Sequence, residues 1–229
     1  MLRELGKLFG SENKVKLLRF FLANQTSQIT FTNLIKKVKI SKNELKKELK
    51  NLVNFSFINE ITIVDEIEIP VKQKKLTKKQ KLKQKKEGTV QDLPKTILKQ
   101  VKEDGYEFNK GYDFTASLAN LLLDFRFVDR QEMLTDFKKF GKISLFCLGG
   151  VFFRDEEGTL DVLIVGDALD KDKIDNYMKK LDADFGTELR YAVFESEEFK
   201  YRVNMFDRLL KDFWKRPHEK VLEKISTRP

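Results

Sequence analysis

Residues 40–53 have the sequence ISKNELKKELKNLV, and this stretch decides the fold of the N-terminal half of the chain. Ser41 is a favourable N-cap and Glu44 follows three residues later, so the pattern predicts a helix that begins with a capping box. Apolar residues recur at helical spacing and form one stripe for a core: Leu45, Leu49, Leu52 and Val53. The opposite face is basic and carries one amide: Lys42, Asn43, Lys46, Lys47 and Lys50.

The composition of that face is typical of a helix that binds nucleic acid. Lysine binds phosphates, and asparagine can hydrogen-bond an adenine edge in the major groove of DNA. Charged, solvated helix faces are also common on ordinary surface helices, so the helix alone does not separate the two interpretations. The candidate DNA contacts are Ser41, Lys42, Asn43, Lys46, Lys47 and Lys50.

The elements around this helix predict a winged helix-turn-helix over residues 1–111. Residues 11–23 form a first helix, residues 28–31 a short extended piece, and Thr32 caps a second helix that ends just before residues 39–40. A very short connection therefore joins the second helix to the basic third helix. The β-rich run 57–64 predicts the first strand of a wing, and residues 105–109 predict its return strand.

A long basic insertion, at about residues 65–102, separates the two predicted wing strands. It holds nine lysines and no acid between residues 72 and 86. Residues 1–109 carry a net charge of +11 and residues 110–229 a net charge of −2, so the positive field belongs to the first half. The tract predicts an arm that lies along DNA phosphates, with a solubilising loop as the alternative, and its candidate contacts are Lys72, Lys74, Lys75, Lys78 and Lys79.

The scarcity of cysteine and histidine limits the chemistry. The one cysteine, Cys147, lies in an apolar run, and the one histidine is His218, so neither a zinc site nor a Cys/His catalytic pair is expected. A buried free thiol is typical of a reducing cytoplasm. No signal peptide, membrane partner, metal or cofactor is predicted from the sequence.

The second half predicts an α/β domain, which makes the chain a two-domain protein of the α+β and α/β classes. Residues 112–129 predict an amphipathic linker helix that either joins the halves or pairs two subunits as a homodimer, and both remain open. In residues 130–229 a small mixed sheet is expected from strands at 142–148, 160–165 and 188–194. Helices are expected at 132–140, at 172–185 before Gly186, and from Ser196 to Pro217.

Residues 149–165 resemble the minimal nucleotidyltransferase fold. In that family a strand ends in Gly-Ser, which holds nucleotide phosphates, and the next strand carries Asp-x-Asp, which holds magnesium together with a third carboxylate. Here Gly149 and Gly150 replace the Gly-Ser pair, Thr159 stands in place of the first aspartate, and Asp161 alone remains. The resemblance implies a relic nucleotide site at Gly149, Gly150 and Asp161.

The whole chain also resembles an uncharacterised group of archaeal and small-genome bacterial proteins that pair a winged helix with such a domain. The resemblance rests on LFGSENKVKLL at residues 8–18 and ELRYAVF at residues 188–194. It implies a transcriptional regulator.

An active transferase is disfavoured by the sequence. Two-metal phosphoryl chemistry needs at least two converging carboxylates, but the residues that share a strand face with Asp161 are Thr159, Leu163 and Val165. Carboxylates from the neighbouring loops would have to move toward Asp161, and these are Asp155, Glu156, Glu157 and Asp167.

We therefore predict a cytoplasmic regulator that binds double-stranded DNA, has no catalytic residue, and uses its second domain for interaction, dimerisation or ligand sensing. The alternatives are an active magnesium-dependent nucleotidyltransferase and an antitoxin-like or RNA-binding module. Asp161 itself is expected at a solvated loop–strand boundary, and Arg190 at the surface.

Overall fold

The computed structural model describes residues 2–70, 96–125, 128–155 and 157–227, which form a mixed α+β structure with two sheets. The lysine tract of residues 72–86 lies outside the described residues. The first part contains α1 Leu2–Phe9, α2 Glu12–Ala23, β1 Gln28–Thr30, α3 Phe31–Val38, α4 Lys42–Asn54, β2 Ile58–Pro70, β3 Thr96–Phe108 and α5 Thr115–Leu122.

The second part contains α6 Arg130–Phe137, β4 Lys142–Leu148, β5 Val162–Asp167, α7 Lys171–Phe185, β6 Tyr191–Glu195, α8 Ser196–Asn204, α9 Arg208–Lys215 and β7 Glu219–Glu223. Short 3-10 turns follow α6 at Lys138–Phe140 and β4 at Gly150–Phe153. Across the ranges that the structure describes, no helix is long and apolar enough to cross a membrane.

The first sheet is antiparallel, with strand order β1-β3-β2. Strands β2 and β3 form a ribbon in regular register from Ile58 opposite Phe108 to Pro70 opposite Thr96. The prediction of two strands was confirmed, but both are longer than the predicted residues 57–64 and 105–109. The added residues are rich in charged side chains, which have a weak preference for β-strands. Pairing between the two strands of the ribbon overrides this weak preference.

The helices before the ribbon begin where short polar side chains can cap them. Ser11 caps α2 and accepts from the Lys14 amide at 3.2 Å, and Ser41 caps α4, which confirms both predicted starts. The cap of α3 was predicted wrongly at Thr32, because Thr30 accepts the Asn33 amide at 3.3 Å and the helix begins at Phe31. Helix α1 was not predicted.

The predicted linker helix of residues 112–129 is much shorter, since α5 covers only Thr115–Leu122. Leu122 is fully buried in the same core as α2, α3 and α4. Leu123 contacts this core and also the next one. Helix α5 therefore packs on the N-terminal part instead of standing between two parts.

The second sheet is mixed, as predicted, with order β6-β5-β4-β7 and one parallel pair, β5 with β6. Alternate residues of its central strands enter different cores. Phe146, Leu148, Val162 and Ile164 face α6 and α7, whereas Leu145, Cys147, Leu163 and Val165 face α8 and α9. Both faces are covered, which explains why the central strands are nearly continuous apolar runs.

Several boundaries in the second part differ from the predictions. Strand β5 begins at Val162 and β6 at Tyr191 instead of residues 160 and 188. The single last helix proves to be α8 and α9, because the chain turns at Phe206, whose φ is +54°, and Asp207 caps α9. Strand β7 follows Pro217 and was not predicted, since Glu219–Glu223 is largely polar.

The two parts meet at a polar junction around Arg19 of α2, whose side chain is buried. Its guanidinium donates to the carbonyls of Leu122 at 2.9 Å and Asp184 at 2.8 Å. The Asn24 amide donates to the Gly186 carbonyl at 2.9 Å, so α2 contacts both the end of α7 and the residue after it. Burial lowers the pKa of Arg19 to about 10, which leaves it charged at neutral pH.

Cys147 lies in β4 with no exposed surface, and burial raises the pKa of its thiol to about 12. Because the thiolate is the reactive form, we expect labelling by a disulfide reagent at pH 8 to be at least about a hundredfold slower in the folded protein than in urea. A K211C variant, which adds a thiol at the exposed position 211 of α9, is the positive control. Equal labelling of Cys147 with and without urea would contradict the buried environment.

Candidate functional site

Helix α4 separates an apolar face from a basic face. Leu45, Leu49 and Leu52 are at most 3% exposed. The side chains predicted to contact DNA from α4 and its cap all lie on the exposed side: Ser41, Lys42, Asn43, Lys46, Lys47 and Lys50. The other predicted contacts, Lys72, Lys74, Lys75, Lys78 and Lys79, lie outside the described residues. Lys42, Lys46 and Lys50 are four residues apart and therefore follow one line along the helix. The rise of a helix places the ends of this line about 12 Å apart.

The start of α4 is held by side chains that surround Ser41. The Ser41 hydroxyl accepts the Glu44 amide at 3.5 Å and donates to Glu44 Oε2 at 2.8 Å. Asn13 of α2 donates to the same carboxylate at 3.3 Å. The Ser41 hydroxyl is thus engaged within the cap, beside the charge of Glu44. Lys42 and Asn43 are the first exposed side chains of the basic row on α4, which continues with Lys46, Lys47 and Lys50.

The lysines on this face of α4 have no paired carboxylate in the part of the chain that the structure describes. Among the described residues, no ion pair involves Lys42, Lys46, Lys47 or Lys50. Lys46 Nζ lies 5.8 Å from the centre of the Phe31 ring of α3, an arrangement that orients the lysine without neutralising it. The face is therefore a local concentration of positive charge.

The β2–β3 ribbon is anchored to the helices by Glu103 of β3. Its carboxylate accepts the Thr32 amide at 2.8 Å, at the N-terminus of α3. Hydrogen bonds from Thr32 lower the pKa of Glu103, as expected for a carboxylate that accepts from a helix N-terminus. Beyond the base, the ribbon continues to Pro70 and Thr96, the residues between which the lysine tract lies in the sequence.

The residues that the resemblance assigns to a relic nucleotide site lie together in the structure. The Gly149 amide donates to the Asp161 carbonyl at 2.9 Å, and the Val151 amide donates to Asp161 Oδ1 at 2.9 Å. Asp161 has no exposed surface. The expectation of a solvated Asp161 was wrong, because the turn after β4 folds over its carboxylate.

Arg190 occupies the rest of the Asp161 carboxylate. Its amide and Nε donate to Asp161 Oδ2 at 2.7 and 3.0 Å, and Nη2 donates to Oδ1 at 2.9 Å. Nη1 also donates to the Gly158 carbonyl. Hydrogen bonding to Asp161 raises the pKa of Arg190. Arg190 was predicted to be a surface charge, but it is the bidentate partner of a buried aspartate.

Gly150 lets the turn after β4 lie against the Asp161 carboxylate. Its φ is +47°, and a Cβ added there would lie 2.0 Å from Asp161 Oδ1. A serine at this position, as in the nucleotidyltransferase pattern, would collide with the carboxylate. Glycine is needed here for close approach to Asp161, a reason that does not involve phosphate.

Three of the loop acids that the sequence offered as substitute metal ligands lie away from Asp161, and the fourth, Glu156, lies outside the described residues. Asp155 forms an ion pair with Arg216 at 2.8 Å, and Glu157 lies 3.6 Å from the same guanidinium. Asp167 is exposed at the far end of β5. In the described ranges no three Asp, Glu, His or Cys side chains are grouped so that they could hold a metal ion.

Other basic residues were overlooked in the sequence. Lys36, Lys37 and Lys39 border a cavity together with Lys179 of α7. The first three could have been noticed as a basic cluster beside the turn before α4, but nothing in the sequence indicates that Lys179 joins them. No protein-family model, curated protein or solved structure matches the chain.

Proposed function

We propose that the chain is a cytoplasmic transcriptional regulator that binds double-stranded DNA through a winged helix in residues 1–111. The observation that carries the proposal is the exposed basic row on α4, in which Asn43 lies beside lysines that have no ion-pair partner among the described residues. The order of helix, strand, two helices and antiparallel ribbon supports it, because this order is that of a winged helix-turn-helix. In this proposal α4 is the recognition helix.

The dimensions of the row suit a major groove. A helix with its side chains is about 10 to 12 Å in diameter and fits a groove about 12 Å wide, and the row extends for about 12 Å along the helix. Lys42, Lys46 and Lys50 would neutralise phosphates on the walls, and Asn43, near the N-terminus of α4, would hydrogen-bond a base edge. The β2–β3 ribbon would be the wing, with the lysine tract of residues 72–86 adding phosphate contacts.

The second part is proposed to have a nucleotidyltransferase-like fold that does not transfer nucleotides. Asp161 is the carboxylate that the family pattern would assign to magnesium, but its oxygens accept from Val151 and Arg190. Binding a divalent ion there would require this buried ion pair to be broken, which is costly. Interaction, dimerisation or ligand sensing is therefore the role that we assign to this part.

The test is the affinity of the full chain for duplex DNA, measured by fluorescence anisotropy over a series of salt concentrations. A variant with glutamine at Lys42, Lys46, Lys47 and Lys50 is expected to bind about 100-fold more weakly at low salt. The slope of log affinity against log salt should fall by about 3 to 4, because about four phosphate contacts are lost.

The control removes the same charge from the second part, by glutamine at the exposed residues Lys171, Lys211, Lys215 and Lys224. If both fourfold variants lose affinity equally, net charge alone accounts for binding and α4 is not the interface. Asn43→Ala should reduce discrimination at one base pair by about 1 to 3 kcal/mol. A chain lacking residues 72–86 should keep its sequence preference while its affinity falls for every duplex.

A further inference from the structure

A cavity of about 430 Å³ lies between the helix pair that precedes α4 and the end of α7. Lys36, Lys37 and Lys39 line one side, and Lys179 lines the other. Asp182 and Glu188 also line it. Its volume falls in the range that is usual for small-molecule sites, about 300 to 1,000 Å³.

The two acids do not neutralise the four lysines. Lys37 Nζ forms an exposed ion pair with Glu188 at 2.8 Å. Asp182 accepts the Leu189 amide at 2.9 Å; burial raises the pKa of its carboxyl group, while the charges of Lys39 and Lys37 lower it. In the part of the chain that the structure describes, Lys36, Lys39 and Lys179 have no carboxylate at ion-pair distance. The cavity therefore has surplus positive charge from both parts of the chain.

The backbone around the cavity is fixed on both sides. Lys39 ends α3 in the left-handed region, with φ +51° and its amide bonded to the Ile35 carbonyl at 3.1 Å. Gly186 ends α7 with φ +77° and touches the backbone of Arg19 and Phe20. The backbone that carries these lysines is therefore in place before a ligand binds, and the cost of ordering is confined to the lysine side chains.

We propose that this cavity binds a small ligand with two adjacent phosphate groups. Three unpaired ammonium groups around one concavity suit a compact polyanion, because lysine acts on phosphate as a point charge with three donors. The cavity is larger than a single phosphate requires, and its position as a concavity between α3 and α7 favours a small molecule over a duplex. Diphosphate chemistry is shared by free pyrophosphate and by nucleoside diphosphates.

Such a ligand would bind next to the proposed recognition helix. Lys39 lies two residues before Ser41, the cap of α4. A ligand that ties Lys39 to Lys179 would fix the turn that orients α4 relative to the second part. This regulatory consequence depends on the proposed function, whereas ligand binding itself does not.

The test is calorimetric titration of the full chain with pyrophosphate, with ADP and with inorganic phosphate, all without DNA. Lys39→Gln and Lys179→Gln are each expected to weaken pyrophosphate binding about tenfold. Lys171→Gln changes an exposed lysine at the start of the same helix α7 and should leave the affinity unchanged. Inorganic phosphate should bind more weakly than pyrophosphate, and a higher affinity for ADP would identify a nucleotide as the source of the diphosphate.

The proposal is overturned if pyrophosphate and ADP do not bind, or if Lys171→Gln weakens them as much as Lys179→Gln does. A separate titration with duplex DNA distinguishes lysines that contact the DNA phosphate backbone from lysines that form a small-molecule site. If Lys179→Gln weakens DNA binding as much as pyrophosphate binding, the lysines belong to a DNA surface and the ligand site is refuted. If the wild-type chain binds pyrophosphate but no duplex DNA, the regulator is refuted and the ligand site stays intact.

Discussion

Replacing Asp161 with alanine is expected to lower the free energy of unfolding by about 3 kcal/mol. The substitution leaves the amides of Val151 and Arg190 without their acceptor and the Arg190 guanidinium without its counterion. The estimate is at the lower end for a broken buried ion pair because the Arg190 side chain is 39% exposed and keeps some contact with water. Urea unfolding monitored by circular dichroism measures the effect.

Two further variants make this result specific. Asp167→Ala removes an exposed carboxylate from the other end of β5 and is expected to change stability by less than about 0.5 kcal/mol. Asp161→Asn should be intermediate, because one carboxamide oxygen can still accept while the charge is lost. If Asp161→Ala is as stable as wild type, Asp161 is not holding the turn after β4.

The same variant also bears on the role of the second part. A carboxylate kept for metal binding is often destabilising in the absence of the metal, so its removal would raise stability instead of lowering it. A structural carboxylate gives the opposite sign. The direction of the Asp161→Ala effect therefore distinguishes a relic fold element from a working metal ligand.

Replacing Gly186 with alanine is expected to cost about 2 to 4 kcal/mol. Its φ of +77° disfavours any side chain, and a Cβ would lie 2.5 Å from the Phe20 amide nitrogen and 2.6 Å from the Arg19 carbonyl carbon. Because these are backbone atoms, no rotamer change relieves the contact. Either α2 and α7 must separate or the Asn24 hydrogen bond to Gly186 must stretch. The free energy of unfolding in urea is the measurement.

Gly10→Ala is the matched control for Gly186→Ala. Gly10 has a similar φ of +85°, but nothing lies within 4 Å of a Cβ added there. It should show only the backbone cost of about 1 to 2 kcal/mol. Equal losses in the two variants would mean that the close approach of α7 to α2 contributes nothing to stability.

Local structure could be predicted where neighbouring residues contain all the interacting groups. Ser11 and Ser41 cap helices through amides three residues ahead, and the stripe of Leu45, Leu49 and Leu52 needs only the period of a helix. Gly186 after α7 is a similar signal, since a glycine tolerates the left-handed conformation that ends a helix. These predictions were confirmed because their physical causes lie within a few residues of each other.

Boundaries failed where packing or pairing outweighed local preference. The ribbon strands run to Pro70 and Thr96 because each residue gains a partner across the ribbon, although the sequence there is strongly charged. The last helix divides at Phe206, where φ is +54° and Asp207 caps α9, and β7 pairs with β4 despite its polar residues. In the ribbon and in β7 the deciding hydrogen bonds join segments that are distant in the sequence, whereas those at Phe206 span only a few residues.

By itself the sequence determined the buried stripe of α4, its basic outer face and most of the helices and strands, because caps and periodicity act over one or two turns. It did not give α1, β7 or the division between α8 and α9. Only the tertiary structure decided the roles of Asp161, Gly150, Arg190 and Lys179. Asp161 and Arg190 are 29 residues apart, and their bond exists because β5 and β6 lie side by side. Lys179 joins Lys36 and Lys39 because α7 packs on the helices before α4. The sequence gives the charge of each side chain, but its hydrogen-bond or ion-pair partner depends on which segments pack together in the core.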